Sequence, residues 1–364
     1  MEYRRLGQTD MMVSAMCLGG WSVSTKDFFW DEQSREDSIQ ALHAALEAGV
    51  NFFDTAPAYG NGDSEEIFGE ALGPHRKEVI LATKIGAQDL ADPGSVRRCC
   101  ETSLRRLKTD YIDLYQVHWP NVELPLEPIY EALCRLKAAG MVRAIGVSNF
   151  GVSFLSELLE IGHVESNQLP YSLLWRAVEH QIAPMCVANG IGILCYSPLC
   201  QGILTGKFAT ADDVPEKRAR TRLFSGDRPL SRHGESGCEA EVFAALTKIR
   251  EIAAGIGQPM NLLALAWLLH QQGVTSVVAG ARNAAQTAEN ARAADLKLSA
   301  DVLQRLSEVT HQVKQLVGSN ADAWDHVSRM ERLDGHPAPA PAHSPKRKAK
   351  RASASATVLR ASSS

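Results

Sequence analysis

The chain has no Cys-x-x-Cys pair, no run approaching the roughly 18 apolar residues of a membrane span, and no Gly-x-Gly-x-x-Gly after its first apolar segment. These absences argue against a dithiol redox motif, a single-span membrane protein and a doubly wound dinucleotide fold of the usual fingerprint. Cysteine is sparse: eight in 364 residues. Cys99 and Cys100 are neighbours in a helical pattern, and most of the others lie among apolar residues, where a thiol behaves as a small hydrophobe. This is no disulfide framework, and a reducing, cytoplasmic compartment is expected. Residues 1–7 contain no apolar stretch resembling a signal peptide.

Basic charge is scarce as well. Lys and Arg number 38 against 42 Asp and Glu, and the last thirty residues hold six of the bases and no acid, so residues 1–334 carry 32 − 42 = −10. An acidic body carries no global nucleic-acid footprint. The basic cluster Lys346-Arg347-Lys348-Ala349-Lys350-Arg351 lies in a Pro/Ala/Ser-rich segment that cannot bury enough apolar area to order itself. It reads as a solvated extension, or as a contact for an anionic partner. Two regions are therefore expected, a globular unit over 1–334 and a tail over 335–364. Nothing in the sequence sets an oligomeric state.

What the body does contain is alternation. Short Val/Ile-rich runs predict strands at 13–18, 50–53, 79–83, 111–117, 142–147, 164–169, 191–196 and 276–279, with helical spacing between them. Gly49, Gly73, Gly140, Gly162 and Gly190 stand where helices should end. Eight such units suit a (β/α)8 barrel of about 250 residues, ahead of an open sheet. One further helix is expected over 300–317, and the long segment 209–238 reads as an inserted loop at the strand C-terminal face, where lids occur.

Three consecutive strands end in chemistry. Asp54-Thr55-Ala56-Pro57-Ala58-Tyr59-Gly60 follows one strand, Lys84 another and His118 a third. A phenol ordinarily titrates near 10 and becomes useful near neutrality only beside a cation, which Lys84 would supply. Singly, each residue has a bland alternative: a cap, a packing ring, a surface charge, a satisfied histidine. Jointly, on the face where barrel enzymes work, they point to catalysis.

With these residues the chain resembles the aldo-keto reductase family, in the branch of prokaryotic aldehyde and sugar reductases related to potassium-channel beta subunits. Further matching stretches are Cys17-Leu18-Gly19-Gly20-Trp21, Ser64-Glu65, Asp113-Leu114-Tyr115-Gln116-Val117-His118, Gly146-Val147-Ser148-Asn149-Phe150, Tyr196-Ser197-Pro198-Leu199 through Lys207, and Gly280-Ala281-Arg282 through Asn290. The resemblance implies a metal-free barrel that reduces aldehydes and ketones with NADPH. Tyr59 would be the general acid, Lys84 and Asp54 its tuning pair, and His118 the group orienting the carbonyl.

It also implies a cofactor track. Ser148, Asn149 and Gln168 would meet the carboxamide and Tyr196 would stack on the nicotinamide. Ser197, Leu199, Gln201 and Gly202 would follow the pyrophosphate. Lys207, Gly280 and Arg282 would lie near phosphate groups, with Gln286, Glu289 and Asn290 on the adenosine. Arg282 suits the 2′-phosphate of NADPH but reads equally as a solvated arginine, and some relatives have a basic residue at the Gln286 position, which leaves NADH as an alternative. Trp21, Trp30 and Trp119 are expected to wall the substrate pocket, whereas Trp267, in an apolar helix, reads as core. The rival function is a nucleotide-sensing regulatory subunit with little turnover.

Overall fold

The computed structural model describes residues 1–26 and 33–332, so Trp30 and the basic segment from Gly335 lie outside the described residues. Two short antiparallel strands, β1 (Tyr3–Arg5) and β2 (Met12–Ser14), precede the barrel. Eight parallel strands then close on themselves: β3 (Met16–Gly19), β4 (Phe52–Asp54), β5 (Ile80–Ile85), β6 (Ile112–Val117), β7 (Val142–Ser148), β8 (Ser166–Pro170), β9 (Gly192–Tyr196) and β10 (Val274–Gly280), which pairs back to β3.

The run expected as one strand over 13–18 is two. Val13 belongs to the hairpin and Met16 to the barrel, because Ala15 changes partners between them. Its N–H donates to Glu2 O at 2.8 Å and its carbonyl accepts from Val277 N at 2.8 Å. The hairpin contributes Leu6, Met11 and Val13 to an apolar cluster with Cys17, Phe52, Ala82, Leu114 and Leu194, so it seals one end of the barrel.

Around the barrel stand α1 (Arg35–Glu47), α2 (Asp63–Leu72), α3 (Pro93–Leu107), α4 (Leu126–Ala138), α5 (Val152–Ile161), α6 (Ile182–Ala188), α7 (Glu239–Gly255), α8 (Met260–Leu269) and α9 (Ala284–Ala291). Short polar side chains cap several of them: Ser34 accepts from Asp37 N, Asp92 from Gly94 and Ser95 N, and Asn283 from Gln286 N. Of the expected terminal glycines, Gly49, Gly140 and Gly190 take the left-handed φ, while Gly73 is helical and Gly162 extended. The helix α8 is buried along its length, Trp267 included, as its composition predicts.

The helix expected over 300–317 divides into α10 (Ala300–Val309) and α11 (His311–Val317). Thr310 is the break: buried and β-branched, it turns its hydroxyl back to Leu306 O at 2.9 Å and also accepts from Arg176 Nη1 at 3.1 Å. The inserted segment 209–238 holds only one short 3-10 turn, Ala211–Asp213, yet it is tied down by charge. Arg222 pairs with Glu235 and donates to the carbonyls of Asn320 and Asp322, joining the insert to the C-terminal segment. No single helix among the described residues is long and apolar enough to cross a membrane; α7 and α8 together reach that length but meet at 93°.

Candidate active site

Strand register builds the site. Asp54 closes β4 opposite Gly19 on β3 and Ala82 on β5, and Lys84 follows two residues later on β5, on the same face. His118 extends β6 by donating its N–H to Ile85 O at 2.9 Å. Tyr59 opens a 3-10 turn in which Gly60 and Asn61 both take left-handed backbone angles, bringing the ring back over the barrel mouth.

The four side chains converge. Lys84, with no exposed surface, donates from Nζ to Asp54 Oδ1 at 2.5 Å, to Thr55 O at 2.9 Å and to Tyr59 Oη at 3.3 Å. Burial works against its charge, but the Asp54 carboxylate and the adjoining phenol outweigh burial and hold the ammonium above its ordinary range. The His118 ring meets Tyr59 edge-on with centroids 5.8 Å apart. Burial, with the Lys84 cation adding to it, pushes His118 down to about 3, so this imidazole is neutral at ordinary pH. The cluster therefore presents a phenol backed by a permanent cation, next to an uncharged ring that can donate one hydrogen bond.

Above it opens a cavity of about 900 Å³. Asp54, Tyr59 and His118 line it, and Lys84 lies beneath them. The cofactor residues named from the sequence all line this one cavity: Ser148, Asn149, Gln168, Tyr196, Ser197, Leu199, Gln201, Gly202, Lys207, Gly280, Arg282, Gln286, Glu289 and Asn290. Trp21 and Trp119 line it too. Trp21 stacks on Tyr59, 6.3 Å between centroids.

Backbone geometry marks the track. Among the described residues six non-glycines have positive φ, and all but Lys108 lie at this end of the barrel: Asn61, Asn149, Ser197, Cys200 and Gln201. Such angles persist only where surroundings enforce them, and they concentrate at functional sites. Asn149 is held by donating from Nδ2 to His118 O and to Ser148 Oγ, each at 3.0 Å, and by accepting from Tyr196 Oη at 2.8 Å. A Cβ at Gly202 would lie 3.4 Å from Lys207 Nζ and 3.6 Å from Arg218 Nη1, so these two cations stand against the loop, while Arg282 lines the same cavity. Gln286 Oε1 accepts from Arg282 N at 3.0 Å, so it orders the start of α9.

The sequence reading left out Trp324 and Arg329 of the lining, Gln116 beneath it, and a second contact of Gln168. Gln168 Nε2 donates to Asp54 Oδ2 at 2.9 Å, so its amide is engaged with the carboxylate as well as facing the cavity. Trp324 stacks on Tyr196 with planes 7° apart and meets Trp119 edge-on, while the Arg329 guanidinium lies 3.9 Å from the Trp119 ring centroid. No local pattern near 324 or 329 announces this, since only tertiary contact brings the chain's end back to the mouth. Gln116 carried a signal: alternation along β6 from His118 turns it inward.

A model of the aldo/keto reductase family matches residues 15–311. The chain belongs to the aldo/keto reductase family. Aldo-keto reductase YhdN of Bacillus subtilis is 35% identical to it over 296 residues, 79% of this chain and 86% of that protein. The NADH-specific methylglyoxal reductase of Escherichia coli is 34% identical over 316 residues, 81% of this chain and 94% of that one. The crystal structure of an aldo/keto reductase from Klebsiella pneumoniae in complex with NADP and acetate matches with a TM-score of 0.67 at 28% identity, covering 85% of this chain and 95% of its own. By family, this aldo/keto reductase is an NAD(P)H-dependent oxidoreductase of carbonyl compounds.

Proposed function

We propose that residues 1–334 form an NADPH-dependent reductase of aldehydes and ketones in which Tyr59 is the proton donor. The observation that carries this is the contact from Lys84 Nζ to Tyr59 Oη at 3.3 Å, made by a lysine already locked to Asp54 at the floor of the cavity. The residues along the cavity fit a dinucleotide. The left-handed loop from Ser197 to Gly202, with Lys207 and Arg218 beside Gly202, would hold an anion. Gly280 suits close approach as well, since a Cβ there would come within 2.8 Å of Ser22 Oγ.

NADPH, when bound, supplies the hydride that adds to the carbonyl carbon. The chain's own residues manage the oxygen. Tyr59 Oη gives its proton to that oxygen as the C–H bond forms, leaving an alcohol and a phenolate that Lys84 stabilises until solvent returns the proton. Neutral His118 donates its N–H to the same oxygen and so fixes the carbonyl's direction. Asn149 and Tyr196, tied to each other, hold the nicotinamide end. Trp21 and Trp119 wall the acceptor side and admit a range of carbonyl compounds.

The decisive experiment follows NADPH oxidation against a panel of aldehydes and ketones. Turnover by the wild-type chain and its loss, by roughly three orders of magnitude, in Tyr59→Phe is the expected result. Equal turnover in Tyr59→Phe would remove the phenol from the mechanism.

A further inference from the structure

Gln116 lies in none of the roles described above, yet it touches the centre of the site. The two oxygens of Asp54 are differently engaged: Oδ1 takes the Lys84 ammonium, while Oδ2 accepts from Gln116 Nε2 at 3.0 Å and from Gln168 Nε2 at 2.9 Å. Gln116 is fully buried and is no part of the cavity wall, so it meets neither substrate nor cofactor. It stands beside Lys84 on one neighbouring strand and Gly146 on the other. A Cβ at Gly146 would come within 3.1 Å of Gln116 Cγ and 2.6 Å of Ser166 Oγ, so the missing side chain makes the space in which the amide lies. Directly below, the same face of β6 and β5 carries Leu114 and Ala82. An apolar residue would continue that layer without difficulty, whereas Gln116 leaves its Oε1 buried without a donor. That arrangement is costly unless the N–H is needed.

We propose that Gln116, together with Gln168, is a positioning residue that clamps the Asp54 carboxylate from behind and thereby directs the charge of Lys84 toward Tyr59. This rests on the reductase reading of the same site. Two N–H dipoles on Oδ2 neutralise part of the carboxylate charge and fix its plane, so Lys84 is held by Asp54 without being fully offset by it. The other groups facing Asp54 do not substitute for the clamp. The Cys17 thiol beside it is kept neutral by burial and by Asp54 itself, His118 is neutral, and Tyr59 is the group being tuned. Without Gln116 the carboxylate turns and draws Lys84 inward, and the phenol becomes harder to ionise.

Gln116→Leu and Gln116→Glu in the full-length chain test this. Phenolate absorbance of Tyr59, taken as the difference from the matching Tyr59→Phe protein, reads the ionisation without substrate. In Gln116→Leu its midpoint is expected to rise by about one pH unit, the alkaline limb of kcat/KM for carbonyl reduction to move the same way, and kcat to fall roughly tenfold with NADPH affinity unchanged. Gln116→Glu keeps the shape but donates only when protonated, so its activity is expected near the wild-type value at low pH and to fall through a new ionisation as pH rises. A folded Gln116→Leu with an unmoved Tyr59 titration overturns the proposal, as does a loss of kcat with no change in either profile, which would mark a purely structural role. Where Gln116→Leu does not fold, Gln116→Glu decides, and absence of the new ionisation is then the overturning result. A wild-type chain that turns over no carbonyl compound would sink the reductase reading instead, and the phenol titration would still judge the clamp.

Discussion

At the scale of single residues, charge state decides what each group does. Lys84 keeps its proton because Asp54 and the phenol together outweigh its burial, so it acts as a fixed cation and not as a base. Lys84→Met removes that cation while roughly conserving volume; kcat is expected to fall by two to four orders of magnitude, with the alkaline limb of the pH profile moving upward. A profile that keeps its midpoint would contradict the tuning. Arg282, which lines the cavity, is the residue on which we propose that cofactor choice turns. Arg282→Ala is expected to weaken NADPH binding at least tenfold while leaving NADH almost unchanged, measured by fluorescence titration of both cofactors. Equal losses would place Arg282 away from the 2′-phosphate, and the NADH specificity of the Escherichia coli relative makes the comparison worth having.

Single residues are also where the sequence was most legible. Asp54, Lys84 and His118 follow Val/Ile-rich runs, and the barrel rule sends all strand ends to one face, so their convergence could be read before any coordinates. Gln116 shows the limit. Alternation turns it inward, but an amide on an interior face has no distinctive chemistry until the carboxylate it serves is seen 3.0 Å away.

Among elements, the C-terminal segment is the least expected and the most firmly attached. Glu331 accepts from Val152 N at 2.7 Å and Ser153 N at 2.8 Å, capping the start of α5. Arg332 forms a bidentate pair with Glu157 and donates to Val122 O and Leu124 O in the loop that follows Trp119. Between these anchors and Asn320, the segment presents Trp324 to Tyr196 and Arg329 to Trp119. Arg332→Ala leaves Asp54, Tyr59, Lys84 and His118 in place but frees that wall. It is expected to cost about 2 to 3 kcal/mol of stability in denaturant unfolding and to raise KM for carbonyl substrates severalfold, with NADPH affinity unchanged. An unchanged KM would detach the segment from the substrate pocket. No pattern of apolar spacing could have foretold this, because the contacts join residues separated by nearly half the chain. The boundary between β2 and β3 was hidden for a related reason: Val13, Met16 and Leu18 are equally apolar, and only the change of hydrogen-bond partner at Ala15 divides them.

For the whole molecule, the buried imidazole couples the site to stability. His118 titrates near 3 in the folded protein against an ordinary value of 6.5, so between those limits the unfolded chain binds a proton that the folded chain does not. Stability therefore rises with pH across this window and is lost as the medium is acidified below pH 6.5, by about 1.4 kcal/mol per unit for this one group. His118→Gln is expected to flatten that part of the profile, read as the wild-type minus variant difference in unfolding free energy between about pH 6.5 and 4.5. An identical slope in both proteins would show that His118 is protonated in the fold. The eight-strand barrel was legible from eight alternating units together with the missing Gly-x-Gly-x-x-Gly, since alternation alone suits an open sheet equally well.

Because Trp324 and Arg329 line the cavity, the order of synthesis would separate chemistry from selectivity under the proposed function. Asp54, Tyr59, Lys84 and His118 all leave the ribosome within the first third of the chain, while Trp324 and Arg329 arrive only after β10 can close the barrel onto β3. A chain ending after α11 would keep the four converging side chains and the proposed cofactor track and lose Trp324 and Arg329 from the cavity wall. On the proposed function, the last thirteen described residues, Asn320 to Arg332, set the moment at which a closed barrel acquires its substrate pocket.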